Sequence, residues 1–118
     1  MDNSTDTPVR QPIGDYIWDA TAEVVDWLDR HNGTSDVQQI LRLLKIGEEY
    51  GEAITAWIGA TGQNPHKGVN ADLADVQGEL CDVILAAAVA LLSITRDTTT
   101  AVNLLAGRAD DVLDHITD

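Results

Sequence analysis

Two segments of the chain carry acidic residues at helical spacing. The first segment contains Glu48, Glu49 and Glu52, and the second contains Asp72, Asp75, Glu79 and Asp82 at intervals of three, four and three residues. Residues three or four apart share one face of a helix, so each segment predicts a stripe of carboxylates. Carboxylate oxygens are preferred ligands of hard divalent cations such as Mg²⁺, and the chemistry these residues indicate is therefore metal binding.

The residues around both stripes are apolar over most of the helix circumference. A surface helix normally has a limited apolar stripe and a wide polar face, so we expect both helices to be buried on more than one side. Carboxylates held between such helices would lose hydration and repel one another, and a divalent cation between them would compensate. The alternative is that the acids form solvated faces, and this is the interpretation we keep for Asp72 and Asp75.

The elements that must position these acids are four helices. The apolar periodicity and the capping residues predict them over residues 15–30, 35–59, 72–94 and from Asp97 or Thr98 to Ile116. Gly33 is placed to end the first helix, and Ser35 with Gln38 has the spacing of a capping box for the second. Gly47 and Gly51 are unfavourable inside a helix, which indicates close approach of another helix or of a ligand. No segment alternates as a strand does, so the expected fold is an all-α, antiparallel four-helix bundle-like domain.

The length of 118 residues fits one domain. Residues 1–12 lack apolar periodicity and are predicted to form a flexible arm, and residues 13–118 form the helical domain.

The net charge of −13 disfavours nucleic-acid polymers and anionic membranes as partners. Cys81 is the single cysteine, which excludes an intramolecular disulfide, and we expect it in the core. With no secretory signal, and with a longest apolar run (83–92) too short for a bilayer, a cytoplasmic location is expected.

The two acidic segments resemble the MazG-like superfamily of all-α nucleotide pyrophosphohydrolases. The family signature is EExxE followed, after a loop, by ExxD. The first motif is present as Glu48-Glu49-Tyr50-Gly51-Glu52 and the second as Glu79-Leu80-Cys81-Asp82. The resemblance covers about residues 35 to 95. It implies hydrolysis of nucleoside triphosphates to a monophosphate and pyrophosphate with Mg²⁺ (or Mn²⁺), for removal of unwanted nucleotides, by a homodimer or dimer of dimers.

The resemblance also implies roles for individual acids. Glu49, Glu52, Glu79 and Asp82 would ligate Mg²⁺, and Glu48 would be a further ligand or would orient or activate the attacking water. The catalytic set is therefore Glu48, Glu49 and Glu52.

Several polar residues are weaker candidates for substrate contact. Lys45 lies one turn before Glu49 and either contacts phosphate or balances the acids of its own helix. Lys67, in the Asn-Pro-x-Lys-Gly loop, either reaches a triphosphate or belongs to an ordinary surface turn. Asn103 and Arg108 lie where family members often place substrate-binding residues. The three tryptophans are candidates for stacking on a base, although core or interface positions are more common for them.

Two alternatives stay open. A phosphoribosyl-ATP pyrophosphohydrolase shares the superfamily, and a non-catalytic helical protein would keep the carboxylates as a metal-binding or interaction surface.

Overall fold

The computed structural model describes residues 13–116, and in this range the chain forms four α-helices and no β-strand. The helices are α1 (Ile13–Asn32), α2 (Asp36–Thr61), α3 (Leu73–Thr95) and α4 (Thr98–Ile116). The all-α, four-helix prediction is confirmed, and each boundary lies within two residues of its predicted position. The arm predicted over residues 1–12 lies outside the described residues.

Local capping explains where the helices begin and end. Gly33 adopts φ 85°, a left-handed conformation that stops α1, and the Ser35 hydroxyl accepts a hydrogen bond from the backbone N–H of Gln38 at the start of α2. Asp72 and Asp75 form a reciprocal capping box at the start of α3, with N···O distances of 2.9 and 3.0 Å. These two acids therefore stabilise a helix terminus, and both are exposed, which agrees with the interpretation of a solvated face.

The centre of the fold is the antiparallel pair formed by α2 and α3, which have the most extensive contact in the described chain. The direction follows from contacts that join Arg42 to Ser93 near one end and Gly59 to Asn70 near the other. Helix α1 packs along α3, and a small core forms around Val25, Leu92 and Ala101 where α1, α3 and the first turn of α4 meet.

A buried arginine ties the first three helices together. Arg42 on α2 donates to Asp29 Oδ1 (2.8 Å), to Ser93 Oγ (3.0 Å) and to the Gly33 carbonyl oxygen (3.1 Å). Arg96, just after α3, binds the other carboxylate oxygen of Asp29 at 2.6 Å. The hydrogen bond from Arg96 and then that from Arg42 lower the pKa of Asp29, against the opposing effect of burial. Arg42 is seven residues before Glu49 and so shares its face of α2, but its guanidinium group is directed to Asp29.

Two surfaces with exposed apolar side chains are left uncovered by the rest of residues 13–116. The first is the α2 stripe, formed by six residues on the side of α2 away from α3: Ile40, Leu44, Gly47, Gly51, Ile54 and Ile58. A Cβ atom at Gly47 or Gly51 would have nothing within 4 Å. The second is the α4 extension, residues 103 to 116, in which every residue is exposed. The expectation that α2 is buried on more than one side is therefore not met within one chain.

Helix α3 is apolar enough, with a mean hydropathy of 1.9 over an 18-residue window, to meet the length and composition of a membrane span. It also carries Glu79 and Asp82, and charged groups are costly at bilayer depth. The cytoplasmic location stays a prediction.

Cys81 is exposed, so its predicted core position is wrong. Leu80 and Val83 beside it are apolar, but within residues 13–116 no helix covers the side of α3 that carries Cys81.

Candidate metal centre

Three of the predicted acids meet between α2 and α3. One carboxylate oxygen from each of Glu49, Glu79 and Asp82 lies within 4.8 Å of the other two. Glu79 and Asp82 are three residues apart on α3 and share a face, and the antiparallel pairing brings the middle of α2 opposite them. Glu49 and Glu79 are half-buried and Asp82 is exposed. We call these three residues the acidic cluster.

The acidic cluster carries more negative charge than its surroundings balance. Partial burial, followed by the charges of Asp82 and Glu49, raises the pKa of Glu79. Partial burial also raises the pKa of Glu49, and contact with the Glu52 carboxyl adds to the increase, while the nearby Lys45 opposes it. A group that is destabilised as an anion by desolvation and like charges is stabilised by an added cation. The oxygen-only donor set, with one face open to solvent, fits Mg²⁺, which normally keeps water in its coordination shell.

The other two acids of the first motif lie beside the acidic cluster. Glu52 contacts Glu49 one turn further along α2. Glu48 is exposed and accepts a hydrogen bond from Lys45 Nζ at 3.0 Å. Glu48 raises the pKa of Lys45 most, followed by Glu49 and Glu52. Within residues 13–116, Lys45 is therefore the cationic side chain that pairs with the acids of α2.

A cavity of about 530 Å³ opens beside the acidic cluster, between α1, α2 and α3. Its wall is largely aliphatic, and Glu49, Asp82 and Lys45 lie at one end. The lining residues are Ala20, Thr21, Val24, Leu28, Asn32, Gln38, Leu41, Arg42, Lys45, Glu49, Asp82, Leu85, Ala86 and Val89. A concave apolar space with a few polar groups is the usual form of a small-molecule site, so we call it the ligand cavity.

The remaining sequence-based candidates do not line the ligand cavity. Lys67 is exposed in the loop after α2, where its backbone N–H donates to the Asn64 carbonyl oxygen at 3.1 Å. Asn103 borders a separate cavity of about 360 Å³ beside Trp18. Arg108 is exposed on the α4 extension. The structure thus brings Glu49, Glu79, Asp82, Glu52 and Lys45 into one region and leaves these three residues elsewhere in the chain.

Sequence reasoning missed the polar residues at the far end of the cavity, Asn32 and Gln38. A signal for Gln38 was present, because Gln38, Leu41, Lys45 and Glu49 are spaced by three, four and four residues and so share one face of α2. The face that carries Lys45 and Glu49 continues toward the start of α2, where it reaches Gln38. Asn32 lies near Gln38 through the turn between α1 and α2, a proximity that helical periodicity does not show.

Comparison of the chain with protein-family models, with curated proteins and with solved structures finds no match. Fold and site together define a small all-α protein with an acidic cluster that suits a divalent cation. Assignment to the MazG-like superfamily continues to depend on the two motifs.

Proposed function

We propose that this protein is a Mg²⁺-dependent nucleotide pyrophosphohydrolase of the MazG-like type. The observation that supports the proposal best is the meeting of Glu49, from the first motif, with Glu79 and Asp82, from the second, at one end of the ligand cavity. A spacing pattern alone does not require the two motifs to touch. Their contact at a cavity gives them a place to act on a bound anion.

The acidic cluster would hold Mg²⁺, and Glu52 is the next available carboxylate. When bound, the metal would neutralise phosphate charge and acidify a bound water. Lys45 lines the cavity beside Glu49, where its ammonium group would orient the triphosphate.

Hydrolysis adds one water across the α–β phosphoanhydride. The water oxygen forms a new bond to phosphorus, the bridging P–O bond breaks, and the bridging oxygen leaves with the departing phosphate group. The proton lost by the water would go to a carboxylate base, for which Glu48 and Glu52, outside the acidic cluster, are the candidates. Glu48 is held by Lys45, so a phosphate that draws Lys45 away would release it.

We also propose that the working form is a homo-oligomer. The α2 stripe is uncharged, and its two glycines allow close approach of a second helix. Two copies of this stripe can pack about a two-fold axis without placing like charges together, which matters in a chain of net charge −13. The α4 extension also exposes large apolar side chains that the other described residues do not cover, and a partner copy would cover them.

The activity is tested by measuring pyrophosphate release from ribo- and deoxyribonucleoside triphosphates, and from phosphoribosyl-ATP, with Mg²⁺, with Mn²⁺ and with chelator. Glu49→Gln and Asp82→Asn should abolish release while helical content is retained. Glu23→Gln, an exposed acid on α1, is the matched control and should keep full activity. No release from any substrate, by a folded protein that Mg²⁺ stabilises, would favour the non-catalytic metal-binding alternative.

The oligomer is tested separately by light scattering after size-exclusion chromatography. Leu44→Glu places a charge in the α2 stripe and should yield monomers. Gln63→Glu adds the same charge in an exposed loop and should leave the assembly unchanged. A monomeric parent protein would refute this part of the proposal without affecting the activity.

A further inference from the structure

The face of α2 that lines the ligand cavity changes its chemistry along the helix. Gln38 offers an amide at the start, Leu41 follows, Lys45 supplies a positive charge, and Glu49 belongs to the acidic cluster. At 1.5 Å per residue, the amide and the carboxylate lie about 16 Å apart along the helix. The ligand cavity therefore has an amide end and an ionic end.

The other two walls follow the same order. On α3, Val89 and Ala86 precede Asp82 when read toward the ionic end, and on α1 the amide of Asn32 joins that of Gln38 at the other end. The middle of the cavity is mostly aliphatic, and the two polar residues that also line it, Thr21 and Arg42, are hydrogen-bonded to other protein groups. Within residues 13–116, the side-chain amides of Asn32, which is exposed, and Gln38, which is half-buried, have no hydrogen-bond partner. Each amide thus has a donor and an acceptor free for a ligand.

We propose that the ligand cavity binds a nucleotide in one orientation and that Gln38 and Asn32 select its base. This inference rests on the proposed function for the phosphate end only. The phosphates would lie at Lys45 and the acidic cluster, and the base would lie at the amide end. A nucleotide matches this order because its anionic part and its hydrogen-bonding base are at opposite ends of one molecule.

The aliphatic middle explains how the ring is held. Leu28, Leu41 and Val89 offer apolar surface for the faces of a sugar and base, and removal of this surface from water favours binding. Trp18, Trp27 and Trp57 do not line the cavity, so the base is packed between aliphatic side chains and is not stacked on an aromatic ring. Discrimination then comes from the amides, because a bound base that covers them without pairing removes them from water and leaves them unsatisfied.

A helix of a second copy is the competing occupant, and the polar ends argue against it. An apolar helix would bury Lys45 and the two amides without partners, which is unfavourable. It would also cover Glu49 and Asp82 with no compensating charge. A ligand with a negative end fits the ionic end once a divalent cation is bound there.

The test is calorimetric binding of the four nucleoside monophosphates and their deoxy forms, with Mg²⁺ present, to the full chain. The parent protein should prefer one base. Gln38→Leu should weaken binding of that base about 10-fold or more, as loss of a hydrogen bond to a buried partner does, and should change the poor binders little. Gln77→Leu makes the same change at an exposed position of α3 outside the cavity and should leave every affinity unchanged.

A second variant fills the cavity itself. Ala86→Leu should remove binding of all bases while the protein stays helical and keeps its stabilisation by Mg²⁺. The inference is overturned if Gln38→Leu weakens all bases equally, or if Ala86→Leu leaves nucleotide binding intact. It is also overturned if nucleotides do not bind and Ala86→Leu dissociates an oligomer, because a second copy is then the occupant.

Failure of the inference and failure of the proposed function give different results. Base-dependent binding that disappears in Gln38→Leu, without pyrophosphate release by the parent, supports the inference and refutes the hydrolysis. Normal pyrophosphate release by Gln38→Leu, with the same ranking of bases as the parent protein, supports the hydrolysis and refutes the inference.

Discussion

Replacing Arg42 with Met should destabilise the fold by about 3 kcal/mol, because breaking a buried ion pair typically costs 3–5 kcal/mol. The Arg42 side chain is 6% exposed and that of Asp29 is 17% exposed. The substitution removes hydrogen bonds to Asp29, Ser93 and the Gly33 carbonyl oxygen. Met reproduces the aliphatic part of the Arg side chain but ends short of the guanidinium nitrogens, so a small cavity adds to the loss. The lower end of the range applies because Asp29 keeps its bond to Arg96.

The assay is urea unfolding followed by circular dichroism at one fixed protein concentration, since the stability of an oligomer depends on concentration. The matched control is Arg30→Met, because Arg30 pairs with Asp26 on the same helix that carries Asp29. Those two side chains are 62% and 69% exposed. An exposed pair of this kind contributes roughly 0.5 kcal/mol or less, so the control should be close to neutral.

A loss of less than about 1 kcal/mol for Arg42→Met, the value of one ordinary hydrogen bond, would refute the reasoning. It would mean that the arginine does not hold α1, α2 and α3 together as its contacts indicate. An equal loss in the control would also contradict it, because the effect would then reflect charge removal in general. Arg42→Lys should fall between the two, since an ammonium group cannot reproduce the planar fork that reaches three acceptors.

The further predictions concern the pH dependence of stability, the replacement of two glycines, stabilisation by Mg²⁺ and the removal of one carboxylate from the acidic cluster. The stability that Asp29 contributes is fully present above the ordinary aspartate pKa of 3.8 and is lost as the pH falls through its lowered value in the folded protein, so Asp29→Asn should flatten the acid limb of a urea-unfolding series. Gly59→Ala should destabilise, because a Cβ there would overlap the loop after α2, whereas Gly78→Ala meets nothing within 4 Å and should raise the unfolding free energy by about 0.5–1 kcal/mol. Mg²⁺ at 100 times its Kd should stabilise the protein by about 2.7 kcal/mol in thermal unfolding, and Asp82→Asn should lose most of that gain. Without metal, Glu79→Gln should be more stable than the parent, because one repelling carboxylate is gone; a decrease would contradict the crowding of the cluster.

The helices were predictable because their signals are local. Gly33 needs only its own φ to end α1, and Ser35 needs only the nearby N–H of Gln38 to begin α2. The acidic cluster was predictable for a related reason. Periodicity places Glu79 and Asp82 on one face of α3, and antiparallel packing of consecutive helices brings Glu49 opposite them.

The side-chain contacts between helices could not be predicted. They depend on how each helix is rotated about its axis relative to its neighbours, and residue spacing does not encode that rotation. Arg42 falls on the same side of α2 as the acids, yet its partner lies on α1, and only the packing angle determines that choice. Glu48 belongs to the motif but is paired with Lys45 outside the acidic cluster. The sequence of the α2 stripe predicts a buried helix face. An apolar face has the same residue pattern whether it is buried or exposed within its own chain.

The junction between α3 and α4 consists of Arg96 and Asp97, and short-range bonds determine its geometry. Arg96 is held in a left-handed conformation (φ 62°) while its guanidinium group bonds Asp29 and the Ser93 carbonyl oxygen, and Asp97 binds the backbone N–H of Thr100 at 2.8 Å. Helix α4 contacts the other helices only near its start. The conformation of this junction therefore determines the direction in which the rest of α4 points. Its 19 residues span about 28 Å, so a change of 10° at the junction moves the tip by about 5 Å. A single substitution at Arg96, far from the α4 tip, would therefore redirect the surface that α4 presents without altering any residue on that surface.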